Sequence, residues 1–287
     1  MSVVSDPFSG VDARFAPGHV GELTQIVPFE MVDAALEATG ASQRRLRDLP
    51  SRVVVYLLLA GCLFPEVGYG GVWRKLTAGL GAGSGFAAPS ASAMAQARRR
   101  VGPAPLRWLF DLLRGPLARP GQRGTWWRGL LVCAIDGTIV TVPDSESVRA
   151  RYAKAAGNHG GTGYPQVRVL ALVSCGTRAL IDAVFGPTSS GETRYASRLL
   201  GSLRPGMIVL ADRNFAAQDL LAQIAGTGAH VLVRCKNGRR FPVLARYRDG
   251  THLSVMGTLR VRVIDAEITI HTAAGRRSGH YRLVTTL

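Results

Sequence analysis

The segments CAIDGTIVTV (133–142) and VLADRNF (209–215) decide the fold of this 287-residue chain. In each of them an apolar run ends on an aspartate, Asp136 in the first and Asp212 in the second. Apolar runs of this length are typical of strands buried within a sheet. An ionised carboxylate at the end of such a strand is costly unless it pairs with a cation or a metal ion. The two segments therefore predict a sheet that delivers two acids to one place.

The segments around these strands predict a mixed sheet with helices packed on it. Residues 166–187 predict two strands joined by a Cys-Gly-Thr turn, and residues 230–237 predict a further strand. Helical patterns at 191–203 and 216–228 lie between the strands. The order is strand, hairpin, helix, strand, helix, strand, which favours the α/β class.

The composition changes along the chain and predicts four regions. They are a leader at 1–20, an N-terminal helical domain at 21–125, an α/β core at 126–239 and a β-rich insert with a final strand at 240–287. The last region contains alternating apolar and polar residues joined by Asp-Gly and Ala-Gly-Arg turns, which is typical of strands exposed on one face.

Positive charge is the most unusual feature of the composition. The chain has 35 Lys and Arg against 19 Asp and Glu, a formal net charge of +16, and its only lysines are Lys75, Lys154 and Lys236. Arginine suits bidentate phosphate contacts, and a cationic surface binds nucleic acid by releasing counterions. A GC-rich genome explains arginine in place of lysine, but it does not explain the excess of cations. The charge therefore favours nucleic acid as the partner, and together with the motifs described below it predicts double-stranded DNA.

A basic helix is predicted at about Ala91 to Val101, and it contains Arg98, Arg99 and Arg100. It is followed by a Gly-Pro break and a second amphipathic helix. The two helices fit a helix-turn-helix whose arginines contact DNA. They fit equally well a pair of helices that simply pack together, and the sequence leaves both interpretations open.

The paired aspartates predict a site for Mg²⁺ or Mn²⁺. Two divalent ions about 4 Å apart can activate an attacking oxygen and stabilise a leaving oxygen in phosphoryl transfer. Gly137 and Ala211 lie beside the acids and leave room for a phosphate backbone. Taken singly, each aspartate is also explained as a strand-end cap or as a structural ion pair, with Arg213 as a candidate partner of Asp212.

Several ordered blocks resemble the DDE transposases of the insertion-element-four group. The blocks that resemble the catalytic core are DGTIVTVPDSESVRARYAKAAG (136–157), YPQVRVLALVSCGTRALIDAVFGP (164–187), GETRYASRLLGSLRPGMIVLADRNF (191–215) and AHVLVRCKN (229–237). LPSRVVVYLLLAGCLF (49–64) and ARRRVGPAPLRWLFD (97–111) resemble the N-terminal helical domain of the family. The resemblance implies an enzyme with a ribonuclease-H-like fold that cuts and joins DNA.

The resemblance also implies roles for individual residues. Asp136 corresponds to the first catalytic, metal-binding acid and Asp212 to the second. Arg234 and Lys236 fall where the family has basic residues close to the DNA, although solvated charge at a strand end explains them too. Asp144 and Glu192 are expected to have supporting roles.

The chain departs from the family at its third acid. In the family this acid is a glutamate on a helix that follows the β-rich insert, whereas HYRLVTTL (280–287) resembles the strand before that helix. Glu267 lies in an alternating strand, where we expect it to face solvent. The resemblance therefore implies a C-terminally truncated transposase that is inactive alone.

The leading hypothesis is a DNA transposase that carries out metal-dependent phosphodiester hydrolysis and strand transfer at insertion-element ends, with a homodimer as the candidate assembly on DNA. The alternatives are a non-catalytic DNA-binding fragment and a metal-dependent nuclease of the same fold. No secretion signal opens the chain, and the longest apolar run, 53–64, is too short to span a bilayer, so we expect a cytoplasmic protein.

Overall fold

The computed structural model describes residues 20–43, 45, 47, 49–78, 88–154, 163–273 and 275–287. The expected leader therefore lies, apart from Val20, outside the described residues. Contacts divide the chain into two compact units, Met1–Leu113 and Arg114–Leu287.

The first unit is helical. Its helices are α1 (Val20–Ile26), α2 (Phe29–Ala38), α3 (Ser51–Leu63), α4 (Gly68–Thr77), α5 (Ala91–Val101) and α6 (Ala104–Leu113). The sequence accounts for their ends: Pro50 precedes α3, and the Ser90 side chain caps α5 by accepting a hydrogen bond from the Ala93 amide. α5 has the predicted bounds and ends at Gly102, whose φ is +68°.

The apolar helix α3 lies in the core of the first unit. Val54, Val55 and Leu57 are completely buried among side chains of the neighbouring helices. No single described helix is long and apolar enough to cross a membrane; α3 meets that criterion only together with Pro65–Thr77, to which it is bent by 104°. Burial in the helical core accounts for the apolar character of α3.

The second unit is built on one mixed sheet. Its described strands are β1 (Trp126–Trp127), β2 (Leu130–Thr141), β3 (Gln166–Ser174), β4 (Leu180–Pro187), β5 (Met207–Ala211), β6 (His230–Cys235), β7 (Ala245–Arg246), β8 (His252–Met256), β9 (Leu259–Thr272) and β10 (Gly275–Thr285). They lie in the order β4-β3-β2-β5-β6-β10-β9-β8-β7, and β1 pairs with β2. β2, β3 and β4 are antiparallel, whereas β2, β5 and β6 are parallel. This is the strand order of the ribonuclease-H-like fold, which confirms the predicted fold class.

The strands of the C-terminal region continue the same sheet. β10 pairs antiparallel with β6 from Arg282↔Cys235 to Thr285↔Leu232, because Val284 and Val233 bury their side chains in the same core. Beyond this pairing, the outer parts of β9 and β10 pair, among the described residues, only with each other. They form a two-stranded ribbon that ends near Thr272 and Gly275.

Helices cover one face of the sheet. The described helices of this unit are α7 (Glu146–Arg149), α8 (Glu192–Ala196) and α9 (Gln218–Gly226), with short 3-10 helices at Ser197–Ser202 and Arg213–Phe215. Leu199 and Ile224 pack with Cys133 and Val209 in one buried cluster. On the opposite face a groove of about 700 Å³ is lined by side chains that include Val132, Ile208, Leu210, Leu232 and Ile264.

The segment before β1 is tied to the β3–β4 hairpin. The Gly115 amide donates to the Leu180 carbonyl at 2.9 Å, and the Thr177 hydroxyl donates to the Pro116 carbonyl at 2.7 Å. These bonds explain why the contacts place residues 114–125 in the second unit, earlier than the boundary expected at 125/126.

Asp182 on β4 anchors the same segment from inside the sheet. The residue is 7 % exposed, pairs with Arg114 and accepts hydrogen bonds from the Ser202 hydroxyl and the Ala183 amide. Burial alone would raise the pKa of the Asp182 carboxyl, but the hydrogen bonds from Ser202 and Arg114 outweigh it and lower that pKa.

We expect Asp182→Asn to lower the free energy of unfolding at pH 7 by about 2 kcal/mol, because it removes the charge of a buried carboxylate from its ion pair with Arg114. A carboxyl whose pKa is lowered by folding stabilises the protein above its unfolded pKa of about 3.9, and the stabilisation is lost as pH falls through the folded pKa. Urea titrations from pH 7 to pH 3 should therefore show the two proteins converging below about pH 4. If the difference in the free energy of unfolding between wild type and Asp182→Asn stayed constant with pH, this role of Asp182 would be contradicted. The control is Glu267→Gln, which changes an exposed acid on β9.

Candidate active site

The register between β2 and β5 brings the two predicted acids together. The strands pair in parallel from Leu131↔Met207 to Ile135↔Ala211. The next residues are Asp136, within β2, and Asp212, which directly follows β5 and has an extended backbone. Ile135 and Ala211 both pack into the core. Because side chains alternate between the faces of a sheet, Asp136 and Asp212 both point to the opposite face from neighbouring positions.

Local hydrogen bonds orient both carboxylates. Oδ1 of Asp136 accepts from the Gly137 amide at 2.8 Å, and Oδ1 of Asp212 accepts from the Asn214 amide at 2.8 Å. Both residues are exposed. Among the described ion pairs neither acid appears, so the alternative in which Arg213 neutralises Asp212 is not found.

The chemistry of these donors fits a hard divalent cation. Carboxylate oxygens are preferred ligands of Mg²⁺ and Mn²⁺, and neither acid is occupied by a basic side chain. Among the residues that the structure describes, however, no group of three or more His, Cys, Asp or Glu side chains could hold a metal ion. Asp136 and Asp212 could supply carboxylate oxygens to such an ion, but only two residues of a ligand set.

Arg234 continues the row of acids across the sheet. β5 and β6 pair in parallel up to Ala211↔Val233, so Asp212 and Arg234 occupy the next neighbouring positions on the same face. Lys236 follows just after β6 and Arg213 directly follows Asp212, and all three cations are exposed.

The three arginines of α5 differ in their surroundings. Arg98 lies over the Tyr69 ring at 4.2 Å, and Arg100 donates to the Leu49 carbonyl at 3.0 Å. Both therefore help to pack the helical unit. Arg99 is exposed. The sequence pattern does not distinguish the arginines that help to pack the helical unit from the one that does not.

Glu192 lies behind the first acid, on the core face of the sheet. Its Oε1 is 3.0 Å from the position that a Cβ atom on Gly137 would occupy, and 4.0 Å from Nη1 of Arg168. Nε of Arg168 is buried without a hydrogen-bond partner. The glycine after Asp136 thus leaves room for the close approach of Glu192, a contact that sequence spacing did not predict.

The other two acids considered from sequence, Asp144 and Glu267, lie in different environments. Asp144 pairs with Lys154 at 2.7 Å and Arg149 at 2.8 Å, and hydrogen bonds from Lys154 and then Arg149 lower the pKa of its carboxyl. Glu267 is exposed on β9, as expected.

We expect Gly137→Ala to destabilise the second unit by about 1 kcal/mol, because its methyl group would lie 3.0 Å from Glu192 Oε1 and 3.1 Å from Leu170 Cδ1. Gly226→Ala in α9, where the new methyl group meets nothing within 4 Å, is the matched control and should unfold at the wild-type denaturant concentration or above it. Equal midpoints for Gly137→Ala and wild type in chemical denaturation would show that Glu192 does not crowd this position.

Comparisons with known proteins agree with this arrangement of elements. The family described as insertion element 4 transposase N-terminal matches residues 17–111, and the family described as transposase DDE domain matches residues 127–279. The second match includes both acids and more than half of the chain. The chain belongs to the DDE transposase family.

Two curated relatives come from Escherichia coli (strain K12). Transposase InsZ is 29 % identical over 232 residues, which are 80 % of this chain and 76 % of InsZ. The transposase InsG for insertion sequence element IS4 is 25 % identical over 231 residues, which are 80 % of this chain but only 52 % of InsG. The chain thus matches about half the length of InsG. A solved piggyBac transposase synaptic complex with hairpin DNA aligns over 54 % of this chain and 33 % of its own, at 12 % identity and a TM-score of 0.34, too low to support an argument.

Proposed function

We propose that the chain is a DNA transposase that binds duplex DNA at insertion-element ends and acts on phosphodiester bonds by hydrolysis and strand transfer. Asp136 and Asp212 are its catalytic, metal-binding acids. The observation that carries this proposal is the β2–β5 register, which presents both carboxylates from adjacent strands on one face. Because an element has two ends, the proposal includes two copies of the chain held together on the DNA.

Asp136 and Asp212 would hold Mg²⁺ or Mn²⁺ through their carboxylate oxygens. A divalent ion in such a site activates an attacking oxygen and stabilises the leaving one. The backbone amides of Gly137 and Asn214 fix the two side chains, so each carboxylate is oriented before a cation arrives. This orientation is what a phosphoryl-transfer site needs from its protein ligands.

The neighbouring cations supply the contacts to DNA. Arg213 directly follows the second acid, Arg234 occupies the neighbouring position on β6, and Lys236 comes just after β6. These cations would neutralise the phosphates on either side of the reacting bond. In the helical unit Arg98, Arg99 and Arg100 are proposed as a separate contact, with the exposed Arg99 as the residue most available to a phosphate. The net charge of +16 favours such binding along an extended duplex.

A second candidate function is DNA binding without catalysis. It is favoured by the absence, among the described residues, of any cluster of three acidic or metal-ligating side chains. Sites of this kind depend on a complete ligand set held in fixed geometry. We therefore propose that this chain alone cleaves DNA poorly.

Binding of Mn²⁺, followed by electron paramagnetic resonance of the free ion, tests the acid pair directly. Asp136→Asn and Asp212→Asn should each weaken binding by about tenfold or more, because each removes a charged ligand. Glu267→Gln should leave it unchanged. Binding that is the same in wild type and in both asparagine variants would refute the proposed site.

Cleavage of a labelled element-end duplex with Mg²⁺ or Mn²⁺ separates the two candidate functions. We expect little product from the isolated chain. Robust cutting that is lost in Asp136→Asn and in Asp212→Asn would establish an active transposase and reject the non-catalytic candidate. Tight DNA binding without cutting would favour that candidate.

Duplex DNA affinity should fall steeply with salt, because each neutralised phosphate releases about 0.9 counterions. The double substitution Arg234→Ala, Lys236→Ala should flatten the slope of log K against log salt by about 2 if each residue contacts one phosphate. Arg149→Ala is the control, since Arg149 pairs with Asp144. Equal slopes for the control and the double variant would remove these two residues from the proposed DNA surface.

A further inference from the structure

Tyr281 on β10 supports the guanidinium beside the acid pair. Arg234 lies opposite Leu283 in the antiparallel β6–β10 pairing, so Tyr281 is its diagonal neighbour on the same face. Cζ of Arg234 is 4.4 Å from the centroid of the Tyr281 ring. This distance is within the range of a cation–π contact.

A second arginine–tyrosine pair in the sheet shows how Arg234 differs. Arg262 lies 4.8 Å from the Tyr247 ring, but it also pairs with Asp249 and donates to the Thr251 hydroxyl at 2.8 Å. The charge of Arg262 is therefore already balanced. In the part of the chain that the structure describes, Arg234 forms no ion pair, although Asp212 occupies the neighbouring position on β5.

The stack on Tyr281 competes with an ion pair between Arg234 and Asp212. An exposed ion pair and an exposed cation–π contact are of similar strength, so one ring is sufficient to shift the balance. A guanidinium bound to Asp212 would occupy the oxygens that a divalent cation needs and would neutralise the charge that a phosphate needs.

We propose that Tyr281 is a positioning residue, which holds Arg234 away from Asp212 and thereby keeps the carboxylate available to a divalent cation and the guanidinium available to a DNA phosphate. The inference rests on the proposed function, since it assigns a role around the same acid pair. The ring does not contact substrate in this scheme, and it acts through Arg234 alone.

The test uses the full 287-residue chain. Tyr281→Leu removes the aromatic face, Tyr281→Phe keeps it, and Tyr247→Leu removes the corresponding ring beside Arg262. We expect Tyr281→Leu to weaken Mn²⁺ binding and duplex DNA binding by about two- to fivefold each, the change expected from loss of one exposed stack. Tyr281→Phe and Tyr247→Leu should behave as wild type.

A rescue distinguishes positioning from a structural role. Adding Arg234→Gln to Tyr281→Leu should restore wild-type Mn²⁺ affinity, because no guanidinium is left to occupy Asp212. DNA affinity of the double variant should equal that of Arg234→Gln alone, because the tyrosine acts only through the arginine. Thermal unfolding of each variant controls for loss of fold.

Two results would overturn the inference: Tyr281→Leu binding both ligands as tightly as Tyr247→Leu, or Arg234→Gln failing to restore Mn²⁺ affinity in the Tyr281→Leu background. Asp136→Asn in the same assay tests the proposed function separately. If that variant and Asp212→Asn both bound Mn²⁺ like wild type, the metal site would be refuted, and the DNA double-mutant cycle would still decide whether Tyr281 acts through Arg234.

Discussion

The parallel pairing of β2 with β5 is the constraint on which the candidate site depends. It aligns Ile135 with Ala211 in the core, and both acids then follow as the next residues. Side chains alternate with a period of two, so a slip of one residue in either strand would send the acids to different faces. The burial of Cys133 and Val209 beneath the helices opposes such a slip. Core packing on one face thus fixes the chemistry on the other.

The position of the site follows from the direction of the strands. In open α/β sheets, ligands bind beyond the carboxyl ends of parallel strands, where the chain turns away and leaves backbone amides and polar side chains exposed. Here the row across the sheet reads acid, acid and cation at Asp136, Asp212 and Arg234. Under the proposed function such a row would suit a phosphodiester, since a divalent ion held by the acids and the guanidinium would both face its negative charge.

Local sequence signals were enough to predict the central strands and the placement of Asp136 and Asp212 at neighbouring positions. The apolar runs that end on Asp136 and Asp212 predict both the buried strands and the positions of the two acids. Pairing between distant segments has no such signal, so the sequence does not predict that β10 continues the sheet from β6. The stack of Arg234 on Tyr281 and the approach of Glu192 to Gly137 depend on that long-range pairing. The difference among Arg98, Arg99 and Arg100 depends in the same way on packing partners.

The ribbon formed by the outer parts of β9 and β10 has a consequence for how the protein is handled. Among the described residues its outer edges pair with no other strand, so each edge carries backbone donors and acceptors that a foreign strand can recruit. Ile268 and Ile270 are exposed on it and would strengthen such recruitment, whereas Arg276 and Arg277 near the tip repel a like-charged copy. High ionic strength screens that repulsion. Storage in concentrated salt, a common choice for DNA-binding proteins, would therefore promote edge-to-edge aggregation of this chain.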